Sequence, residues 1–251
     1  MKKKIRRIFN LILGSLLFTG TLVLLGFAEN EQKGTICRSL RINLHYGEAD
    51  SLVTEAEIDS LIRSVAGEVK GKPMVQINTE KLERVVRGYP YMANVQVYGT
   101  HTGEIYVNAF QREPVIRIIT ETNQGYYIGR TGVLLPCHSD YPVRVLVASG
   151  AIPDSASSSP LLSDLLKLAL FINHDPFLKA QVDQIFVNGP GDYELIPKVG
   201  DHVILLGDAE ALGDKFRCLM VFYRQGLNQI GWNKYNVINI KYKNQVVCSK
   251  L

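Results

Sequence analysis

Histidine and cysteine are the residues here best suited to metal or nucleophilic chemistry, and their spacing provides for neither. His45, His101, His138, His174 and His202 contain no His-x-x-x-His or His-Glu-x-x-His, the spacings that turn two imidazoles to one helical face around a metal. Cys37, Cys137, Cys218 and Cys248 include no Cys-x-x-Cys; they suit either disulfides in an oxidising compartment or small reduced apolar side chains, and spacing does not choose a pairing. No Gly-x-Ser-x-Gly elbow presents a serine nucleophile. Gly189-Pro190-Gly191-Asp192 lacks the Lys-Ser/Thr of a phosphate loop and reads as a turn. His174-Asp175 sets an acid beside a base, but ahead of Pro176 it reads as a helix exit. The pattern predicts no catalytic residue, cofactor or metal. What remains is the chemistry of the backbone itself. Val237 to Tyr242 and Gln245 to Cys248 read as two strands joined by Lys243-Asn244, and a strand at the edge of a sheet has N–H and C=O groups free for an extended segment of another protein.

The elements that would position such an edge are legible. Leu40, Ile42 and Leu44 alternate with Ser39, Arg41, Asn43 and His45, as a half-buried strand requires. Thr54-Glu55-Ala56-Glu57 has the form of a capping box, followed by Ile58, Leu61, Ile62 and Val65 at helical spacing and by Gly67 as a stop. Asn78 or Thr79 starts a second helix with Leu82, Val85 and Val86, ending near Gly88-Tyr89-Pro90. Val95 to Tyr98 and Glu104 to Phe110 read as a hairpin. The order strand, helix, helix, strand, strand predicts two helices packed on a three-stranded sheet. Further on, the pattern predicts a strand over 143–147, a loop over 148–160 and a helix over 161–173 bearing Leu162, Leu165, Leu166 and Ala169. Strands follow at 184–187, 193–196 and 203–206, then a helix over 209–224 with Leu212, Phe216, Leu219, Met220 and Tyr223 on one side.

The opening of the sequence places these elements. Lys2, Lys3, Lys4, Arg6 and Arg7 precede an apolar run from Ile8 to Phe27 in which Asn10 is the strongly polar exception. At about 1.5 Å per residue such a run makes a helix of about 30 Å, the thickness of a bilayer core. Gly26-Phe27-Ala28 suits a signal peptidase, but the run exceeds a signal h-region, and length favours a retained anchor. Its basic flank stays in the cytoplasm, so the remainder lies outside. The chain has 28 Lys+Arg against 24 Asp+Glu. Without the five cations of the tail the balance is nearly even, which excludes a nucleic-acid surface and leaves the positive charge to the membrane flank.

In this order the elements resemble the FtsQ/DivIB family of bacterial cell-division proteins. Arg112-Glu113-Pro114 stands where that family has Arg-x-Pro, and Gly125-Tyr126-Tyr127-Ile128 with Gly132-Val133-Leu134-Leu135-Pro136 is similar to its Tyr-hydrophobic-x-x-x-Gly-hydrophobic-x-hydrophobic-Pro hairpin, with Gly129 where many members are acidic. The resemblance implies an α+β chain: basic tail 1–7, transmembrane helix 8–28, POTRA-like β-α-α-β-β domain 35–111, and mixed β domain with flanking helices 112–251. It implies a non-enzymatic, single-pass scaffold of the inner membrane, its bulk in the periplasm at the division septum, that binds a coiled-coil pair like FtsB/FtsL. Lys241, Tyr242, Asn244, Gln245, Val246 and Val247 fall on the partner-binding stretch. Tyr242 matches the tyrosine of the family's Arg-Tyr, while Lys241 replaces the arginine and cannot make its bidentate contact. A family tryptophan just beyond is absent. A POTRA-bearing assembly or transport factor is the alternative within the binding class, and an envelope hydrolase the alternative outside it.

Overall fold

The computed structural model describes residues 14–21, 35–47, 50–137, 143–154, 159–189 and 191–250. The expected tail 1–7, the linker 29–34 and most of the apolar run 8–28 lie outside the described residues, as do His138 and Pro190. Within that run, residues 14–21 are helical, with the Thr19 and Thr21 hydroxyls donating to the carbonyls of Ser15 and Leu17. Among the described residues no helix is long and apolar enough to cross a membrane. The chain forms two compact units, one made of residues 1–45 and 53–111, the other of 46–52 and 112–251.

Unit 1 follows the alternation and caps of its sequence. Strand β1 (Ser39–His45), helices α1 (Glu55–Ala66) and α2 (Thr79–Arg87), and strands β2 (Met92–Gly99) and β3 (Glu104–Gln111) build a sheet of order β1-β3-β2. Thr54 and Glu57 close the capping box, Asn78 caps α2 by accepting from the Lys81 N–H, and Gly67 ends α1 at φ 65°. Parallel pairing sets Ile42 beside Val107, and antiparallel pairing sets Val107 beside Val97. That row meets Ile58, Ile62, Leu82 and Val86 of the helices, all buried. Each such side chain withdrawn from water contributes about 1.5–3 kcal/mol. The opposite face is polar and aromatic: Tyr98 stacks on Tyr106, His45 stacks on Phe110, and Arg41 pairs with Glu104.

Unit 2 is a nine-stranded sheet, β4 (Pro114–Ile119), β5 (Gly125–Gly129), β6 (Leu134–Pro136), β7 (Leu146–Gly150), β8 (Val182–Gly189), β9 (Asp192–Pro197), β10 (Val203–Gly207), β11 (Val237–Asn239) and β12 (Val247–Ser249), ordered β12-β11-β10-β9-β8-β7-β4-β5-β6. Helices α3 (Pro160–His174), α4 (Pro176–Gln181) and α5 (Leu212–Val221) accompany it. One apolar row crosses the sheet through paired residues, Ile118, Ala148, Ile185, Leu195, Ile204 and Ile238. Leu165, Leu168, Ala169 and Ile172 of α3 and Phe216 and Leu219 of α5 share its core.

The structure departs from the sequence reading in four places. Strand β7 runs over 146–150 instead of 143–147, so its pairing with β8 starts at Val147 and extends into the expected loop. His174-Asp175 ends α3 as expected, but a further helix outside the sequence reading follows at once: the Asp175 carboxylate accepts the N–H groups of Phe177 and Leu178, and Pro176 opens α4 at the position where its missing N–H costs nothing. The helix expected from 209 begins at Leu212 after a left-handed Ala211, and beyond Val221 it widens into a π turn over Phe222–Leu227. The strands expected over 237–242 and 245–248 are the shorter β11 and β12.

Candidate partner-binding edge

Strand β10 is the base on which the edge is built. His202, buried just ahead of it, lies 2.9 Å from the Tyr223 hydroxyl, and Tyr223 packs on Trp232 and Phe177. Burial holds the His202 imidazole below its ordinary range, so the ring is a neutral packing group. This ring cluster fixes the π turn against the start of β10, and the chain then returns as β11, parallel to β10, with Ile204 beside Ile238. Val203 donates to the Asn236 carbonyl and Ile240 donates to the Leu205 carbonyl, so both ends of the short β11 are tied down.

The connection from Asn239 to Val247 explains why β12 starts late. Ile240 is buried, but the next N–H, that of Lys241, is taken by the Asn239 side chain instead of a ladder. The Lys241 ammonium reaches Asp192 on β9 at 2.6 Å. Asn244 adopts a left-handed conformation at φ 57°, and the Gln245 N–H donates to the Tyr242 carbonyl. These bonds make residues 241–245 a compact turn, and pairing resumes only at Val247, opposite Asn239.

Strand β12 has β11 on one side and, among the described residues, no strand on the other. Cys248 pairs with Ile238 and is the last rung of the apolar row; burial pushes its thiol up, which keeps it a small neutral side chain. Val247, 48% exposed, and Ser249 turn to the other face. Of the six expected partner-binding residues, only Val247 lies in the edge strand. Lys241 is engaged with Asp192, Tyr242 is 58% exposed on the turn, Asn244 and Gln245 shape that turn, and Val246 packs against the core. Cys248 and Ser249, the other two residues of the strand, escaped the sequence reading as contacts; the period-two continuation of the apolar row was the signal for Cys248. Lys243 and Lys250 flank the edge with exposed ammonium groups.

The catalytic alternative meets a specific obstacle at His174-Asp175, because the Asp175 carboxylate is occupied in capping α4. All four cysteines are free thiols. Among the described residues no group of His, Cys, Asp or Glu could hold a metal ion.

Comparison with known families gives two matches. Residues 113–249 match the family model described as FtsQ/DivIB, C-terminal related, and residues 35–109 match a POTRA-like domain. No curated protein matches the chain.

Proposed function

Because the chain belongs to the FtsQ/DivIB family through its C-terminal related domain, we propose that it is a non-enzymatic scaffold that recruits other division proteins at the septum of a dividing bacterium. The segment 8–28 anchors it once in the inner membrane, with the tail 1–7 in the cytoplasm and both units in the periplasm. The edge of β12 accepts an extended segment from a coiled-coil pair like FtsB/FtsL, as a further antiparallel or parallel strand.

The observation that supports this reading is the apolar row that stops at Cys248 on a strand with one neighbour. An added strand would place an apolar side chain beside Cys248 and continue a core that already crosses the sheet. The exposed Lys243 and Lys250 favour carboxylates on the incoming segment.

Binding of the periplasmic segments of an FtsB/FtsL pair to the chain ending at Leu251 and to one ending at Tyr242 tests the proposal. Loss of binding by the shortened chain, with its circular dichroism retained, is the expected result. Equal binding by both places the site elsewhere and leaves β12 as structural closure.

A further inference from the structure

Unit 1 has two outer strands, and they are finished differently. The outer side of β2 is taken up by side chains of α2: Arg87 donates to the Val95 carbonyl at 3.1 Å, and the Val97 N–H donates to Glu83 at 3.1 Å. Glu83 and Arg87 also bond each other at 2.5 Å. Together they fill the positions an incoming backbone would use, so β2 is a closed edge.

Among the described residues, strand β1 has no such cover. Near its start, Cys37 turns its N–H and C=O outward to Lys72 and Gly71, while the Arg38 N–H turns inward to Gly103. Alternation then directs the backbone groups of Ser39, Arg41, Asn43 and His45 away from β3, and among the described residues β3 is the one strand paired with β1. Where this free edge begins, a cleft of about 210 Å³ opens between β1, α1 and the segment after it, lined by Arg38, Leu40, Arg63, Glu68 and Lys70 among others. Its acids are already engaged, since Arg63 binds both Asp59 at 2.7 Å and Glu68 at 2.9 Å. Arg38 and Lys70 are exposed and form no ion pair among the described residues. The cleft therefore has two cations outside its ion-pair cluster, and three cations against two acids in all, at the mouth of an unpaired strand.

We propose that unit 1 receives an extended acidic segment of a partner protein along the free edge of β1, with a carboxylate seated against Arg38 and Lys70. Main-chain hydrogen bonds to residues 39–45 supply the docking, and the two cations select the acidic segment and fix its register. This site is separate from β12 and stands whether or not β12 binds an FtsB/FtsL-like pair.

Three labelled peptides test it by fluorescence anisotropy on the full-length chain: an octapeptide of alternating threonine and valine ending in two aspartates, the same peptide ending in two lysines, and the aspartate peptide methylated at alternate backbone nitrogens. The aspartate peptide is expected to bind about tenfold or more tightly than either of the others. The double variant Arg38→Glu/Lys70→Glu is expected to lose about the same factor, and Arg38→Gln/Lys70→Gln part of it; both leave packed residues untouched. The variant Lys243→Glu/Lys250→Glu removes any share of the peptide held at β12 and is expected to keep the Arg38/Lys70-dependent preference for the aspartate peptide over the lysine peptide. The proposal is overturned by aspartate and lysine peptides binding alike, by no saturable binding up to about 1 mM, by affinity unchanged in both Arg38/Lys70 variants, or by loss at Lys243/Lys250 alone. Equal binding of the methylated peptide also overturns it, because contact would then be ionic without strand addition.

Discussion

The outer edges of β2 and β12 pose the same physical problem and receive opposite treatments. Each strand has one paired neighbour and presents backbone groups on its other side. On β2, Glu83 and Arg87 stand in for the missing strand with charge-assisted hydrogen bonds. On β12, the neighbouring side chains do different work: Lys241 reaches back to Asp192, and Val247 and Ser249 remain exposed. The difference teaches that position at the end of a sheet is a weak sign of a docking site. What distinguishes an available edge is the lack of side-chain stand-ins, together with an apolar row left unfinished.

The comparison breaks most easily at the residue on which β12 rests. Ile238 is fully buried between Ile204 and Cys248, and Ile238→Ala is expected to cost about 2–5 kcal/mol by removing packed methyl groups. Urea denaturation followed by near-ultraviolet dichroism measures it, and binding at β12 should fall with stability; a loss under 1 kcal/mol, on the scale of about 2–5 expected for the core, would detach β12 from the core argued above. Next in size is the guard on β2. Glu83→Ala/Arg87→Ala leaves the Val95 carbonyl and Val97 N–H to water, with an expected loss of about 1–3 kcal/mol. The same variant should self-associate in sedimentation velocity, and a monomer with unchanged stability would show that the pair guards nothing.

A pH scan sharpens the contrast from the side of β10. Because burial holds His202 below its ordinary 6.5, the unfolded chain binds a proton that the native chain refuses once pH falls below that value. The contribution of neutral His202 is thus complete above pH 6.5 and declines as pH drops toward the folded-state value. The midpoint for unfolding unit 2 should fall over that window, and His202→Gln should flatten the dependence assigned to this ring. The smallest effect belongs to Lys241→Ala. Its pair with Asp192 is about one-third exposed at each side chain, which limits the loss to about 0–1 kcal/mol through solvent screening. A larger loss would make the turn before β12 a principal support of the edge.

Much of this architecture was written in short local signals. Thr54 with Glu57, Asn78, and the alternation of Leu40, Ile42 and Leu44 each satisfy a backbone requirement within a few residues, so the elements of unit 1 follow from them. Pro176 marked the exit of α3 correctly but hid the start of α4, because proline follows one helix and opens another equally well, and the Asp175 carboxylate serves as the cap of the second. The late start of β12 depends on Lys241 finding Asp192 across the sheet and on Asn244 turning left-handed, neither of which spacing reveals. The guard on β2 was hidden for a similar reason. Glu83 and Arg87 have the spacing of an ordinary helix surface pair, and only the tertiary fold brings the Val95 and Val97 backbone beneath them.

The register of unit 1 also has a history in time. β2 and β3 join through a short turn, and a local hairpin closes within about 1–10 μs. β1 must find β3 across a separation of 65 residues, with both helices between them, and such nonlocal pairings are the slow part of assembly. The first strand of the unit in sequence is therefore expected to take its place last and, at the edge of the sheet, to loosen first in the native ensemble. Amide exchange should run faster along β1 than along β3, and a segment that adds to β1 would slow it, acting as a clasp on the most transient seam of the sheet.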